Sequence, residues 1–214
     1  MIYNGIDLTE YPICDADIWI DVVLAGLDTD LLGKYQRLIA ADVVEKEILK
    51  FKKNNHFKTI AEKFLTYKVD KKIIVINHSD IEEEDRKFLE KQLVECDNRF
   101  ETGLADTPHE KHKGEIVSAI YAGYFEIPFL KSNDGTFKEG NMGRIAFPNL
   151  IVKNRKDMLE DLVSDKIRRR EIHQLIKDTR KIMDEEKRIY EERKKVPPTD
   201  RQIQELLRKL RSGS

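Results

Sequence analysis

Tyr11-Pro-Ile-Cys-Asp-Ala-Asp-Ile-Trp-Ile-Asp-Val-Val-Leu-Ala-Gly26 decides the fold class. Residues 10–14 read as a short buried strand. Asp15 ends the apolar run and opens a helix that stops at about Gly26. Such strand-to-helix steps recur downstream. Leu31-Leu-Gly-Lys-Tyr35 starts a short second helix, and the compact run Leu38-Ile-Ala-Ala41 leads into a helix to about Lys53. In that helix Val43, Val44, Glu47, Ile48 and Phe51 follow helical spacing, which puts Glu47 on or beside the buried face. A helix over roughly 57–67 precedes the strand Lys72-Ile-Ile-Val-Ile-Asn77. Ser79-Asp80 then reads as the cap of a long helix to about Cys96, with Phe88, Leu89 and Leu93 on its apolar face. After a polar loop from Asp97 to Lys113, helix 114–124 is nearly all apolar or small, with Glu115 its only charge. Pro128-Phe-Leu130 starts another strand, Gly135, Gly140 and Gly143 mark turns, and Ile145-Ala-Phe147 reads as a last strand. Strands alternating with helices imply an α/β fold with an open, mostly parallel sheet covered on both faces.

The chain has 214 residues, 37% of them charged, which suits one core domain plus an appendage. Its net charge of −1 hides an asymmetry. Residues 1–150 hold 20 basic against 27 acidic side chains (−7), and residues 151–214 hold 19 against 13 (+6). A basic tail suits an anionic partner, although a solvated helix with a mild charge bias explains it equally well. The two cysteines, Cys14 and Cys96, have neither metal nor disulfide spacing and read as buried hydrophobes in a reducing cytoplasm. The N-terminus lacks the pattern of a signal peptide, and no apolar run reaches the roughly 18 residues of a membrane span, so no membrane association is expected.

From about Asn154 the pattern becomes that of a long charged helix. Leu175, Ile182, Ile189 and Val196 recur every seven residues, beside Ile176, Met183 and Tyr190. Thr179, Glu186 and Arg193 interrupt the second seam of a coiled coil. Thr199-Asp200 caps a last short helix carrying Ile203, Leu206, Leu207 and Leu210. The domain reading is therefore a body over 1–152 and a helical extension over 153–214, which lies on the body, binds substrate or builds a homodimer.

Four carboxylates have informative settings: Asp15 and Asp134 at strand ends, Glu47 and Glu115 on helices. Such groups can converge at one edge of a parallel sheet, where α/β proteins bind ligands. An all-oxygen donor set suits a hard divalent cation, and without one the clustered charges repel. Asp15-Ala-Asp-Ile-Trp-Ile20, Glu47-Ile48, Lys113-Gly-Glu115 and Leu130-Lys-Ser-Asn-Asp134 resemble, in order and spacing, the four acidic motifs of the PIN-domain family across roughly residues 10–150. The resemblance implies a three-layer α/β/α sandwich and a Mg²⁺- or Mn²⁺-dependent endoribonuclease. It makes Asp15, Glu47, Glu115 and Asp134 catalytic. Asp15, Glu115 and Asp134 become cation ligands, and Glu47 a ligand or a water-holding group. It also extends to toxins of toxin–antitoxin pairs, which adds an inhibitory protein to the RNA substrate as an expected partner. A non-catalytic binding or assembly module and a structure-specific DNA nuclease are the alternatives.

Asp17 stands where the family most often has Asn, Ser or Thr. It reads as the N-cap of the following helix, or else as an additional ligand or nearby acceptor. Lys113, Lys131 and Ser132, beside the third and fourth motifs, are the substrate-binding candidates. His109 and His112 read as polar loop residues, and Trp19 as core. There is no Gly-rich phosphate loop and no Ser/His/Asp arrangement.

Overall fold

The computed structural model describes residues 2–100, 113–133 and 135–195. Asp134, His109, His112, the Lys113 side chain and the expected terminal helix over 199–210 lie outside what is described. The chain divides into two compact units, Met1–Ile172 and His173–Ser214. The first holds the sheet.

It begins with a hairpin of β1 (Ile2–Tyr3) and β2 (Ile6–Asp7). Asn4 and Gly5 turn it with φ of 50° and 78°, the left-handed pair that a two-residue loop requires. The Asn-Gly dipeptide was the available signal for this hairpin, which the sequence reading left out. Tyr3 ties it down: its hydroxyl donates to Asp80 Oδ2 at 2.9 Å and accepts from the Asn77 N–H at 3.0 Å.

The core then builds in order: β3 (Ile13–Cys14), α1 (Ala16–Leu24), α2 (Asp28–Tyr35), β4 (Leu38–Ala41), α3 (Asp42–Leu49), a 3₁₀ turn over Lys50–Lys53, α4 (Thr59–Val69) and β5 (Ile73–Ile76). After these come α5 (Glu83–Phe100), α6 (Lys113–Tyr124), β6 (Leu130–Lys131), α7 (Met142–Ala146), β7 (Val152–Lys153), α8 (Arg155–Leu162) and α9 (Lys166–Lys195). Strands β3 to β7 form one sheet in the order β5-β4-β3-β6-β7, and every described pairing in it is parallel. All four residues of both β4 and β5 are buried, as expected of strands covered on both faces. The fold is thus α/β, with an arrangement consistent with a three-layer sandwich. No described helix is long and apolar enough to cross a membrane.

Packing explains why these segments settle here. Trp19 is 2% exposed, donates from Nε1 to the Ile60 carbonyl at 3.1 Å and meets Phe64 and Tyr67 edge-on, locking α1 to α4. Its core reading holds. Asp21, fully buried on α1, accepts from Arg155 Nε at 2.5 Å and fastens α8.

Three local expectations are corrected. Ile145 and Ala146 belong to α7, and the last described strand is β7. Ser79 and Asp80 lie in a 3₁₀ turn, with α5 starting at Glu83; Asp80 instead receives Tyr3 and Asn77. The charged C-terminal stretch is not one helix from Asn154. Asn154 closes a capping box on α8, Val163 is extended, and Asp165 Oδ1 accepts the Ile167 N–H at 2.8 Å as α9 begins.

In the second unit α9 carries exposed Leu175, Ile182 and Ile189. Its charges pair along the helix, with Arg188 bridging Glu185 and Glu192 at 2.6 and 2.7 Å.

Gly143 shows how tightly the turn after residue 134 is built. A Cβ there would lie 2.7 Å from the Thr136 carbonyl oxygen and 2.6 Å from Thr136 Cγ2. Gly143→Ala is therefore expected to cost about 1–3 kcal/mol, read as a lower denaturant midpoint. An unchanged midpoint would show that the turn yields freely.

Candidate active site

Strand β3 is the switch point of the sheet: the chain runs outward through β4 and β5 on one side, then returns to place β6 on the other. Ligands of open α/β sheets bind outside the carboxyl ends of the strands at such a point. Asp15 sits there, immediately after β3, and its N–H donates to the Lys131 carbonyl at 2.9 Å.

The Asp15 side chain does the work expected of a helix cap. Oδ1 accepts the Ala16 N–H at 2.8 Å, and the backbone at Asp15 is extended. Asp15, not Asp17, is the N-cap of α1, which corrects the favoured reading of Asp17. Asp17 lies in the first helical turn, half-buried. Ser132, 1% exposed at the end of β6, donates from Oγ to Asp15 Oδ2 at 3.3 Å.

Two helices bring in the other acids. Glu115 is half-buried in the first turn of α6. Glu47 lies in the last turns of α3 and is exposed, beside the buried face and not on it. The helical period places Val44 and Ile48 inward, and Glu47 falls on the edge of that stripe rather than under it. Gly114 reports the convergence. A Cβ on Gly114 would lie 3.2 Å from Asp15 Oδ1, 3.5 Å from Glu47 Oε2 and 3.5 Å from Val44 Cγ2. Asp15 and Glu47 thus both border the residue that precedes Glu115.

Electrostatics agree. Burial, then the charges of Glu115, Asp17 and Glu47, push the Asp15 carboxyl well above the ordinary carboxylate range; the Ala16 N–H opposes them. Asp15 is 2% exposed while Glu47 reaches solvent, so the group opens outward from a buried base. Among the described residues no three His, Cys, Asp or Glu side chains stand as a ready-formed cation cage. The donors are nonetheless all oxygen. Oxygen donors are the type that a hard cation such as Mg²⁺ takes, and it typically uses one or two carboxylates, with water and substrate phosphate filling its shell.

Lys131 is set apart from this group. Neighbouring residues of a strand point to opposite faces, and while Ser132 faces Asp15, Lys131 is fully buried over the Tyr35 ring (4.5 Å) and 3.7 Å from Asp161 Oδ2. Burial pulls its ammonium below the usual lysine range. Sequence reasoning missed Asp161, which gathers Lys34, Lys131, Lys153 and Tyr35 from three parts of the chain. Only the fold brings these groups together. Cys14 and Cys96 are both buried and form no disulfide, and burial pushes the Cys14 thiol up to about 12.

No protein-family model, curated protein or solved structure matches the chain.

Proposed function

We propose that the protein is a PIN-like, Mg²⁺- or Mn²⁺-dependent endoribonuclease. The observation that carries the reading is that Asp15 Oδ1 and Glu47 Oε2 both border Gly114, the residue before Glu115, at the switch point of the sheet. Asp15, Glu47 and Glu115 hold the cation, with Asp134 from the fourth motif as a further ligand. When bound, the cation supplies charge stabilisation at the phosphoryl centre and acidifies water. The chain's own residues bind and orient. Ser132 and the Ala16 N–H fix the Asp15 carboxylate, so its lone pairs need no reorganisation on binding. Exposed Glu47 leaves an open side from which a phosphodiester can approach. The burial and neighbouring charge that raise the Asp15 pKa have a function in this reading: the pocket disfavours its own ionised state until a cation neutralises it.

The test is cleavage of a panel of structured and single-stranded RNA and DNA with Mn²⁺, Mg²⁺ or EDTA. Cleavage of RNA that EDTA abolishes supports the proposal. Cleavage confined to DNA moves the substrate to the other polymer. Cation binding without turnover of any nucleic acid supports a non-catalytic binding module. A small inhibitory protein that blocks cleavage would add the toxin role.

A further inference from the structure

We infer that Gly114 is a positioning residue for the bound divalent cation, because its missing Cβ leaves room beside Asp15 Oδ1, with Glu47 Oε2 bordering the same space. The inference rests on the proposed cation site. Gly114 is the second residue of α6, and its φ is not in the left-handed region, so the backbone does not require glycine. Within a helix glycine is a cost of roughly 0.5–1 kcal/mol relative to alanine. Helical Gly33 and Gly123 would meet nothing within 4 Å if given a Cβ. Gly114 differs. Its Cβ would meet Asp15 Oδ1 at 3.2 Å, tighter than an ordinary contact, whereas Val44 Cγ2 at 3.5 Å is ordinary packing. Glu47 Oε2 at 3.5 Å is likewise an ordinary contact. Asp15 is buried, with one oxygen on the Ala16 N–H and the other on Ser132 Oγ. An added methyl group therefore presses on Oδ1 of the carboxylate at the buried base of the site and turns it away from these two donors.

The experiment is a calorimetric Mn²⁺ titration of the full-length protein, its Gly114→Ala variant and a Gly123→Ala control, with the melting temperature of each measured without cation. Gly114→Ala is expected to stay folded and to weaken Mn²⁺ binding by about 10–100-fold, the range seen when a group that orients a ligand is altered. Gly123→Ala is expected to bind as the parent does. Equal affinity of parent and Gly114→Ala would overturn the inference. So would a Gly114→Ala protein that loses its fold without cation, since the glycine would then serve packing. A parent protein that binds no Mn²⁺ would instead overturn the cation-site reading on which the inference rests.

Discussion

Asp15→Asn is expected to melt higher than the parent without added cation, yet to cleave RNA about a hundredfold or more slowly with Mn²⁺ present. Both effects have one cause. Asn keeps the shape and can still accept the Ala16 N–H, so the helix cap survives. It removes a buried charge that faces Glu115, Asp17 and Glu47. The gain is of order 1 kcal/mol at pH 7, a midpoint shift of about 2–4 °C for a chain of this size. Its pH dependence fixes the sign. The folded protein holds the Asp15 proton more tightly than the unfolded chain does, because its pKa is raised. Stability from this group is therefore complete below the ordinary carboxylate range and is lost as pH rises toward the raised value. The variant's advantage should vanish near pH 3 and grow toward neutrality. The loss of cleavage follows from removing a charged oxygen ligand at the buried base of the site. A variant that melts lower at pH 7 and higher at pH 3 would contradict this account of Asp15.

Asp161→Asn is expected to destabilise the protein by about 3–5 kcal/mol. Burial alone would raise the Asp161 carboxyl, but the Tyr35 hydroxyl and the Lys131, Lys153 and Lys34 ammonium groups outweigh it and hold the group down at about 2. Lys34 and Lys153 sit at the surface or near it, where ion pairs contribute little. Lys131 is different: it is fully buried, and among the described residues Nζ has no hydrogen-bond partner, only the 3.7 Å ion pair and the faces of the Tyr35 and Phe129 rings. Neutralising Asp161 strands that charge. The same argument predicts that Lys131→Met, which removes the charge at similar length, costs little and restores most of the stability of Asp161→Asn in the double variant. With a depressed pKa, the Asp161 contribution is present above the ordinary carboxylate range and fades as pH falls toward about 2, the reverse of Asp15. Chemical denaturation across pH 2–7 measures both. A double variant no more stable than Asp161→Asn would show that Lys131 is not the stranded group.

The parts of the fold legible in the sequence were those with strong local signals. Ile73–Ile76 read as a buried strand because four β-branched residues stand together, and α6 read as a central helix because it is almost uncharged. Ile145-Ala-Phe147 misled because three residues are too few to separate a strand from a helical turn; Gly143 packing against Thr136 settles the helix. Strands β3, β6 and β7 span only two residues each, so their existence depends on neighbours supplied from distant sequence. In the site, the setting of Asp15 after a strand and of Glu47 and Glu115 on helices was visible. Their degrees of burial were not, because Glu47 differs from a core position by only a small rotation about α3. Nor could Lys131 be separated from Ser132 without the strand's facing, which a one-residue change of register inverts.

The convergence of carboxylates is tested most directly by anomalous diffraction from crystals soaked in Mn²⁺. The expected result is a peak at about 2.0–2.2 Å from oxygens of Asp15 and of Glu47 or Glu115, over Gly114. A peak elsewhere, or none at a concentration that saturates the protein in solution, would contradict the assignment of this edge of the sheet as the cation site.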